Sequence, residues 1–174
     1  MKIAPCRDEE LEEIAALVNA AYRGETSRVG WTSEVELLGG QRTDAGALRA
    51  DLTTAPGATI LTMRAQEGGA IIGSVWLEPL GAGACYLGML TIDQTRQADG
   101  LGRALLAHAE NFASAAGASR MQLTVIEQRE SLIAWYVRRG YRRTGEVKPF
   151  PYGDERVGEP RRADLRLAAF EKGI

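Results

Sequence analysis

The chain has 174 residues, 45% hydrophobic and 25% charged, a balance that suits a soluble globular protein with a substantial core; we read residues 1–174 as one domain. A formal net charge of −2 provides no basic surface for nucleic acid or an anionic membrane, so neither is expected as a partner. No apolar run approaches the roughly 18 residues of a membrane span, and the acidic N-terminal stretch lacks the charged and apolar regions of a signal peptide, so a cytoplasmic location is expected.

Cys6 and Cys85 lie in separate strand-like segments and match no metal or redox spacing. They read as buried thiols in a reducing compartment. Lys2 to Cys6 is a short first strand by its pattern. Asp8 then caps a helix whose apolar positions Leu11, Ile14, Ala15, Leu17, Val18 and Ala21 recur at helical spacing until Gly24 stops it. From Glu25 to Arg42, Trp31 stands among glycines and polar residues. Two readings hold together there: a binding loop, and a short helix capped by Thr32 or Ser33 with Trp31 stapled onto the core. Asp44 to Leu52 reads as another helix, ended by Pro56-Gly57.

The pattern then changes to strands. Thr59 to Ala65 and Ala70 to Leu77 flank the turn Glu67-Gly68-Gly69 as a hairpin, and Cys85 to Ile92 follows, so antiparallel pairing is expected. Leu101 to Ala116 is a helix with Leu101, Leu105, Ala109 and Phe112 on one face, ended by Gly117. Met121 to Ile126 is a strand, Glu130 to Arg139 a helix closed by Gly140, and Tyr141 to Val147 and Ala163 to Phe170 are the last strands. The charged, Pro- and Gly-rich stretch from Pro149 to Arg162 is too long for a tight turn. This interleaving points to an α/β (α+β) domain with a mixed sheet.

Ile92 to Arg103 joins a strand to a helix through a polar turn containing Gly100 and Gly102. Small residues let backbone amides approach a ligand, and the first N–H groups of a helix have no intrahelical partner, so the junction is a natural anion cradle. A dinucleotide fingerprint fails because Leu105 stands where its third glycine belongs. A P-loop fails because Gly-Lys-Ser and Gly-Lys-Thr are absent from the chain.

The pattern resembles the Gcn5-related N-acetyltransferase (GNAT) family. Its first signature, R/Q-x-x-G-x-G/A, is met by Gln97, Gly100 and Gly102. Its second, an apolar residue and Tyr four residues before Gly-aromatic, is met by Trp135-Tyr136 and Gly140-Tyr141. The order of elements resembles this fold over nearly the whole chain. It implies a mixed, mostly antiparallel central sheet of about seven strands flanked by about four helices. Gly30-Trp31-Thr32-Ser33-Glu34 with Gly40-Gln41-Arg42 is similar to a microbial subgroup of the family.

The resemblance implies direct transfer of the acetyl group of acetyl-CoA, a co-substrate needing no metal, to an amine of a small molecule or a protein. It implies that backbone at Leu90, Thr91 and Ile92 meets the pantetheine arm and supplies an oxyanion donor. It also implies that Gln97, Ala98, Asp99, Gly100, Leu101, Gly102 and Arg103 hold the pyrophosphate. Tyr136 is implied as the general acid that protonates the leaving thiolate, against the plainer reading of a core tyrosine; Trp135 reads as core. An acceptor amine also needs a base, and Glu34, Glu36, Glu78, Glu127 and Asp154 are candidates that spacing does not separate. Where some relatives carry a glutamate, this chain has Tyr86.

Trp31 and Glu34, with Tyr152, Asp154 and Glu155, are candidates for a pocket that takes a cationic amine. Three positions depart from the family pattern: Ala98 for a common glycine, Gln94 for a common proline, and Arg129 for a frequent coenzyme-contacting asparagine. His108 reads as a solvated or half-buried side chain, and Arg138, Arg139, Arg142 and Arg143 as cations at a helix end. Two rival readings remain, a non-catalytic acyl-CoA-binding or sensing module on the same fold and an interaction domain that has lost the ligand. The sequence leaves room for a homodimer.

Overall fold

The computed structural model describes residues 1–23, 34, 36–154 and 158–174, with residues 97–99 described by their backbone alone. Strand β1 (Lys2–Pro5) leads through a 3₁₀ turn (Asp8–Glu10) into α1 (Leu11–Arg23). A short β2 (Leu38–Gly39) and α2 (Ala45–Thr54) follow, the latter capped by Asp44, whose carboxylate accepts from the Ala47 N–H at 2.8 Å. Next come β3 (Thr59–Arg64), β4 (Ile71–Gly81), β5 (Ala84–Ile92) and α3 (Leu101–Ala115). The chain ends with β6 (Arg120–Ile126), α4 (Glu130–Val137), β7 (Arg142–Pro149), β8 (Glu159–Pro160) and β9 (Arg166–Gly173).

Seven strands form one sheet in the order β1-β3-β4-β5-β6-β9-β7. Every adjacent pair is antiparallel except β5 and β6, which run parallel. Strand alternation assigns the layers. On β3 and β4, Leu61, Met63, Val75 and Leu77 pack with Leu105, Ala109, Leu132 and Tyr136 of α3 and α4. Ile60, Ile71 and Trp76 point the other way, against Leu11, Ile14, Val18 and Leu48 of α1 and α2. Helices α1 and α2 therefore cover one face of the sheet, and α3 and α4 cover the other.

The expected seven strands and four helices are present, with shifted boundaries. The last strand begins at Arg166 rather than Ala163, and β7 continues to Pro149, beyond the expected Val147. Neither run shows a clean apolar alternation. Strand β7 is exposed along its whole length as a charged edge, so burial leaves no period to read. The two-residue strands β2 and β8 were not expected. They pair antiparallel, Leu38 with Pro160 and Gly39 with Glu159, and lie over a small cluster of Leu38, Ile126, Phe150 and Leu165. Two residues carry too little periodicity to be seen in a sequence. The expected short helix with Trp31 stapled to the core falls largely on residues 24–33 and 35, outside those described.

Gly73 on β4 sets how closely α3 sits on the sheet beside the functional site. A β-carbon there would stand 2.7 Å from Ile92 Cδ1, 3.1 Å from the Thr91 carbonyl oxygen and 3.3 Å from Leu105 Cδ2. Ile92 and Leu105 are fully buried, so neither can move aside cheaply. Gly73→Ala is expected to destabilise the fold by about 1–3 kcal/mol in urea denaturation. An unchanged midpoint would mean the core yields at this point.

At the start of α1, Glu10 is buried and accepts from the Arg7 backbone N–H at 2.8 Å and from Arg64 at 2.7 Å. Burial alone would raise its carboxyl, but Arg7 and Arg64 outweigh it and hold the group at about 2 against an ordinary 4.5. The depressed value means that Glu10 stabilises the fold fully above the unfolded 4.5 and loses that contribution as pH falls through about 2. Glu10→Gln should therefore lower the denaturation midpoint at neutral pH, with the gap to wild type closing in acid. A gap independent of pH would contradict the assignment.

Candidate active site

The site begins where the sheet comes apart. The parallel register between β5 and β6 pairs Ala84 with Arg120, Cys85 with Met121 and Tyr86 with Gln122, then stops. Leu87 to Leu90 run on beside the cavity without a strand on that side, leaving backbone donors and acceptors along this part of the β5 edge. An irregularity in β5 accompanies the splay. From Ser74 to Trp76 on β4, the partner on β5 moves from Thr91 back to Gly88, so β5 carries an extra residue there. Met89 sits at the bulge with φ +46°, a left-handed conformation unusual for a residue with a β-carbon. The Thr91 hydroxyl donates to the Met89 carbonyl at 2.9 Å and helps hold it.

A cavity of about 240 Å³ opens in the splay. Leu87 to Leu90 line one wall and Leu123 to Ile126 the other, with Tyr22, Glu34, Arg42, Arg129 and Tyr136 also reaching it. Tyr136 comes from α4, whose apolar face packs into the core through Leu132. Its ring is fixed edge-on by Trp135 at 5.0 Å and by Tyr141 at 5.4 Å between centroids. Among the described residues, none forms a hydrogen bond with its hydroxyl. Burial pushes the phenol far above its ordinary value, Tyr22 adds to the rise, and Arg129 opposes it. Tyr136 is thus a neutral phenol across the physiological pH range.

On the opposite side, the Tyr22 hydroxyl at the end of α1 donates to the Leu90 carbonyl at 3.2 Å, tying the helix to the bulge. Glu34 is buried and bridges two guanidinium groups, Arg23 at 2.6 Å and Arg129 at 2.9 Å. Arg42 and Arg129 both stand over the Tyr22 ring, at 5.8 and 6.0 Å from its centroid. Arg129, at the position of the usual asparagine, therefore reaches the acceptor side of the cavity.

The strand-turn-helix junction has the expected form. Asp93 accepts from the Thr95 N–H at 2.9 Å and its hydroxyl at 2.8 Å, and Gln94 to Asp99 wind as a 3₁₀ segment. Gln94 also donates to the Ala21 carbonyl at 2.9 Å, anchoring the segment to α1. Gly100 caps α3 at φ +72°, where a β-carbon would be strained. Leu101 packs against the main core, Gly102 is buried and Arg103 is exposed. This turn starts at Asp93, directly after β5, so the strand that lines the cavity and the amide-rich helix start follow one another along the backbone. Such an arrangement suits a long ligand with an anionic segment, as coenzyme A has.

The structure brings Leu90, Tyr136 and Glu34 to one cavity, and places Thr91 and Ile92 further along the same strand as buried residues. Among the candidate bases, only Glu34 lines the cavity, and it is held between two arginines. Glu127 instead pairs with Arg143 and Arg166, and Glu78 accepts from the Trp76 indole at 3.2 Å. Tyr152 is exposed and holds the Arg162 carbonyl and the Leu165 N–H. Trp31 and Glu155 lie outside the described residues. Tyr86 lines the cavity, its hydroxyl 3.3 Å from Thr124. His108 is exposed; Cys6 and Cys85 are free, and burial raises both thiols. Sequence reasoning missed Tyr22 and Arg42 as cavity residues. The only signal was their position, at the end of a helix and directly after Gly40-Gln41.

Comparison with known proteins finds the same fold in solved structures. A ribosomal-protein-alanine N-acetyltransferase from Brucella melitensis superposes with a TM-score of 0.72, at 16% identity over 100% of both chains. The yncA protein of Salmonella typhimurium, a structure that holds its cofactor acetyl-CoA, superposes with a TM-score of 0.67 at 18% identity, covering 99% of this chain and 93% of that one. The ribosomal-protein-S18-alanine N-acetyltransferase of Escherichia coli gives 0.66 at 16% identity, over 99% and 93%. At these identities the likeness is one of fold. No curated protein sequence matches significantly. Residues 11–141 match the model of the Acetyltransferase (GNAT) family, and since that span is most of the chain, the protein belongs to this family of acyltransferases.

Proposed function

We propose that the chain works as a single-domain N-acetyltransferase that passes the acetyl group of acetyl-CoA directly to an amine. The observation that carries this reading is a buried, neutral Tyr136 in the same cavity as the bulged, strand-free edge of β5. When bound, acetyl-CoA supplies an activated acetyl thioester. The Leu90 to Ile92 edge would hold its pantetheine arm by backbone hydrogen bonds. The amides from Gln97 to Arg103 would hold its pyrophosphate at the start of α3. Binding along two continuous elements fixes the reacting carbon relative to Tyr136 without side-chain specificity.

The Tyr136 hydroxyl holds the proton that the departing sulfur needs. Its pKa is raised first by burial, so that proton stays in place until a basic thiolate forms beside it. Cys85 is a poor nucleophile, because burial keeps it a thiol, and this favours direct transfer over an acetyl-enzyme. The free cysteines are compatible with a cytoplasmic setting.

Tyr136→Phe is expected to retain acetyl-CoA binding in calorimetry while lowering amine-dependent thiol release by about 10²-fold or more. An unchanged turnover at every pH would remove Tyr136 as the acid. Tight acetyl-CoA binding by wild type, with no thiol release across polyamines, amino acids, aminoglycosides and peptides, would favour the non-catalytic binding module.

A further inference from the structure

The described lining of the cavity holds one carboxylate, Glu34, and both of its oxygens already face guanidinium groups, Oε2 toward Arg23 and Oε1 toward Arg129. A carboxylate so engaged has little left to offer an ammonium group. Arg23 and Arg129 flank it and a third guanidinium group, Arg42, lines the same cavity, so these four described side chains carry three positive charges to one negative. This differs from the acidic pocket for a cationic amine expected from the sequence.

Arg42 is half-buried, lines the cavity over the Tyr22 ring, and among the described residues no carboxylate pairs with it. Its backbone is fixed in place. Asn19 Oδ1 of α1 accepts from the Arg42 N–H at 2.8 Å and the Thr43 N–H at 3.2 Å, and Asn19 Nδ2 donates to the Thr43 carbonyl at 2.7 Å. A built, partly desolvated guanidinium facing a cavity next to another of like charge is a receptor for an anion.

We propose that the acceptor is an amine that also carries a carboxylate, as an α-amino acid does, and that Arg42 receives that carboxylate. This deepens the acetyltransferase reading and rests on it. The cavity volume of about 240 Å³ is below the roughly 300–1,000 Å³ of pockets for drug-sized ligands, which favours a compact acceptor over an aminoglycoside. The same positive charges have a second effect. They disfavour the ammonium form of the bound acceptor, lowering its pKa and aiding release of the proton it must lose before attack. That lessens the need for a dedicated carboxylate base.

The test is acetyl-CoA-dependent thiol release by the purified full chain with a set of α-amino acids and their matched carboxamides. The acids should exceed the amides in kcat/KM by about tenfold or more. Arg42→Gln should erase that preference mainly through KM, and Arg42→Lys should restore part of it. Unchanged acetyl-CoA binding by Arg42→Gln serves as the folding control. Should no compound of either set turn over, N-acetylated amino acids and their amides are titrated into the coenzyme A complex, where only the acids should bind. Equal use or equal binding of acids and amides, binding of neither, or a preference that survives Arg42→Gln overturns the inference and leaves acetyl transfer standing. Failure of wild type to bind acetyl-CoA overturns both.

Discussion

The site depends on two parallel strands that cease to be neighbours. After Tyr86 and Gln122, β5 and β6 diverge, and the backbone from Leu87 to Leu90 runs on without a strand on that side. In a closed sheet its polar groups would be consumed by the ladder; here they face a cavity. The extra residue at Met89 turns the strand at this point, and the strain of its positive φ is offset locally by the Thr91 and Tyr22 hydroxyls at the Met89 and Leu90 carbonyls. Helix α4 then places Tyr136 in the gap, and α3 begins just beyond the strand end. In the proposed function, donor recognition and proton supply would both follow from one break in hydrogen bonding.

The acceptor side is governed by charge. Taking Arg23, Glu34 and Arg129 out of water is expensive, and their mutual attraction offsets the cost only because the bridges are short and geometrically fixed. Removing Glu34 would take from Arg23 and Arg129 the carboxylate they share, so Glu34 acts first as a residue that helps hold Arg129 at the cavity wall. Tyr22 contributes differently at each end: its hydroxyl supports the bulge, while its ring supports the guanidiniums of Arg42 and Arg129. One side chain thereby couples the bulged backbone of β5 to the guanidinium groups across the cavity.

What could be read in the sequence follows from how local each signal is. Residues Ile92 to Arg103 were legible because a strand end, two glycines and a helix start lie together, and the glycine at φ +72° is demanded by the turn itself. Tyr136, which lines the cavity, was singled out only through the resemblance of Trp135-Tyr136 and Gly140-Tyr141 to a family signature. The core helices were legible from period: Leu11, Ile14, Val18, Leu105 and Ala109 are all buried where spacing put them. The acceptor wall was not. Arg42, Glu34 and Arg129 are far apart in the chain and meet only through tertiary structure, and a charged residue in a sequence does not announce its partner. Glu34 read alone suggested a site for a cation; Glu34 read with its two arginines suggests the reverse.

The small antiparallel clasp of Leu38-Gly39 with Glu159-Pro160 joins segments from opposite ends of the chain beside this wall. Its closeness is marked by Gly158, where a β-carbon would lie 2.6 Å from the Gly39 carbonyl and 3.2 Å from an Arg23 guanidinium nitrogen. Two-residue strands contribute few backbone bonds, so opening this clasp costs far less than opening the main sheet. Closing it also carries the entropy of a very long loop, which places it among the late contacts in folding. The molecule is therefore unequal in stability, with the β5 side of the cavity built on the centre of the main sheet and the Arg23–Glu34–Arg129 side lying beside a weak fastening. A partly opened chain can keep β5 and the start of α3 intact while the far side of the cavity is undone, so the two sides can be lost one at a time.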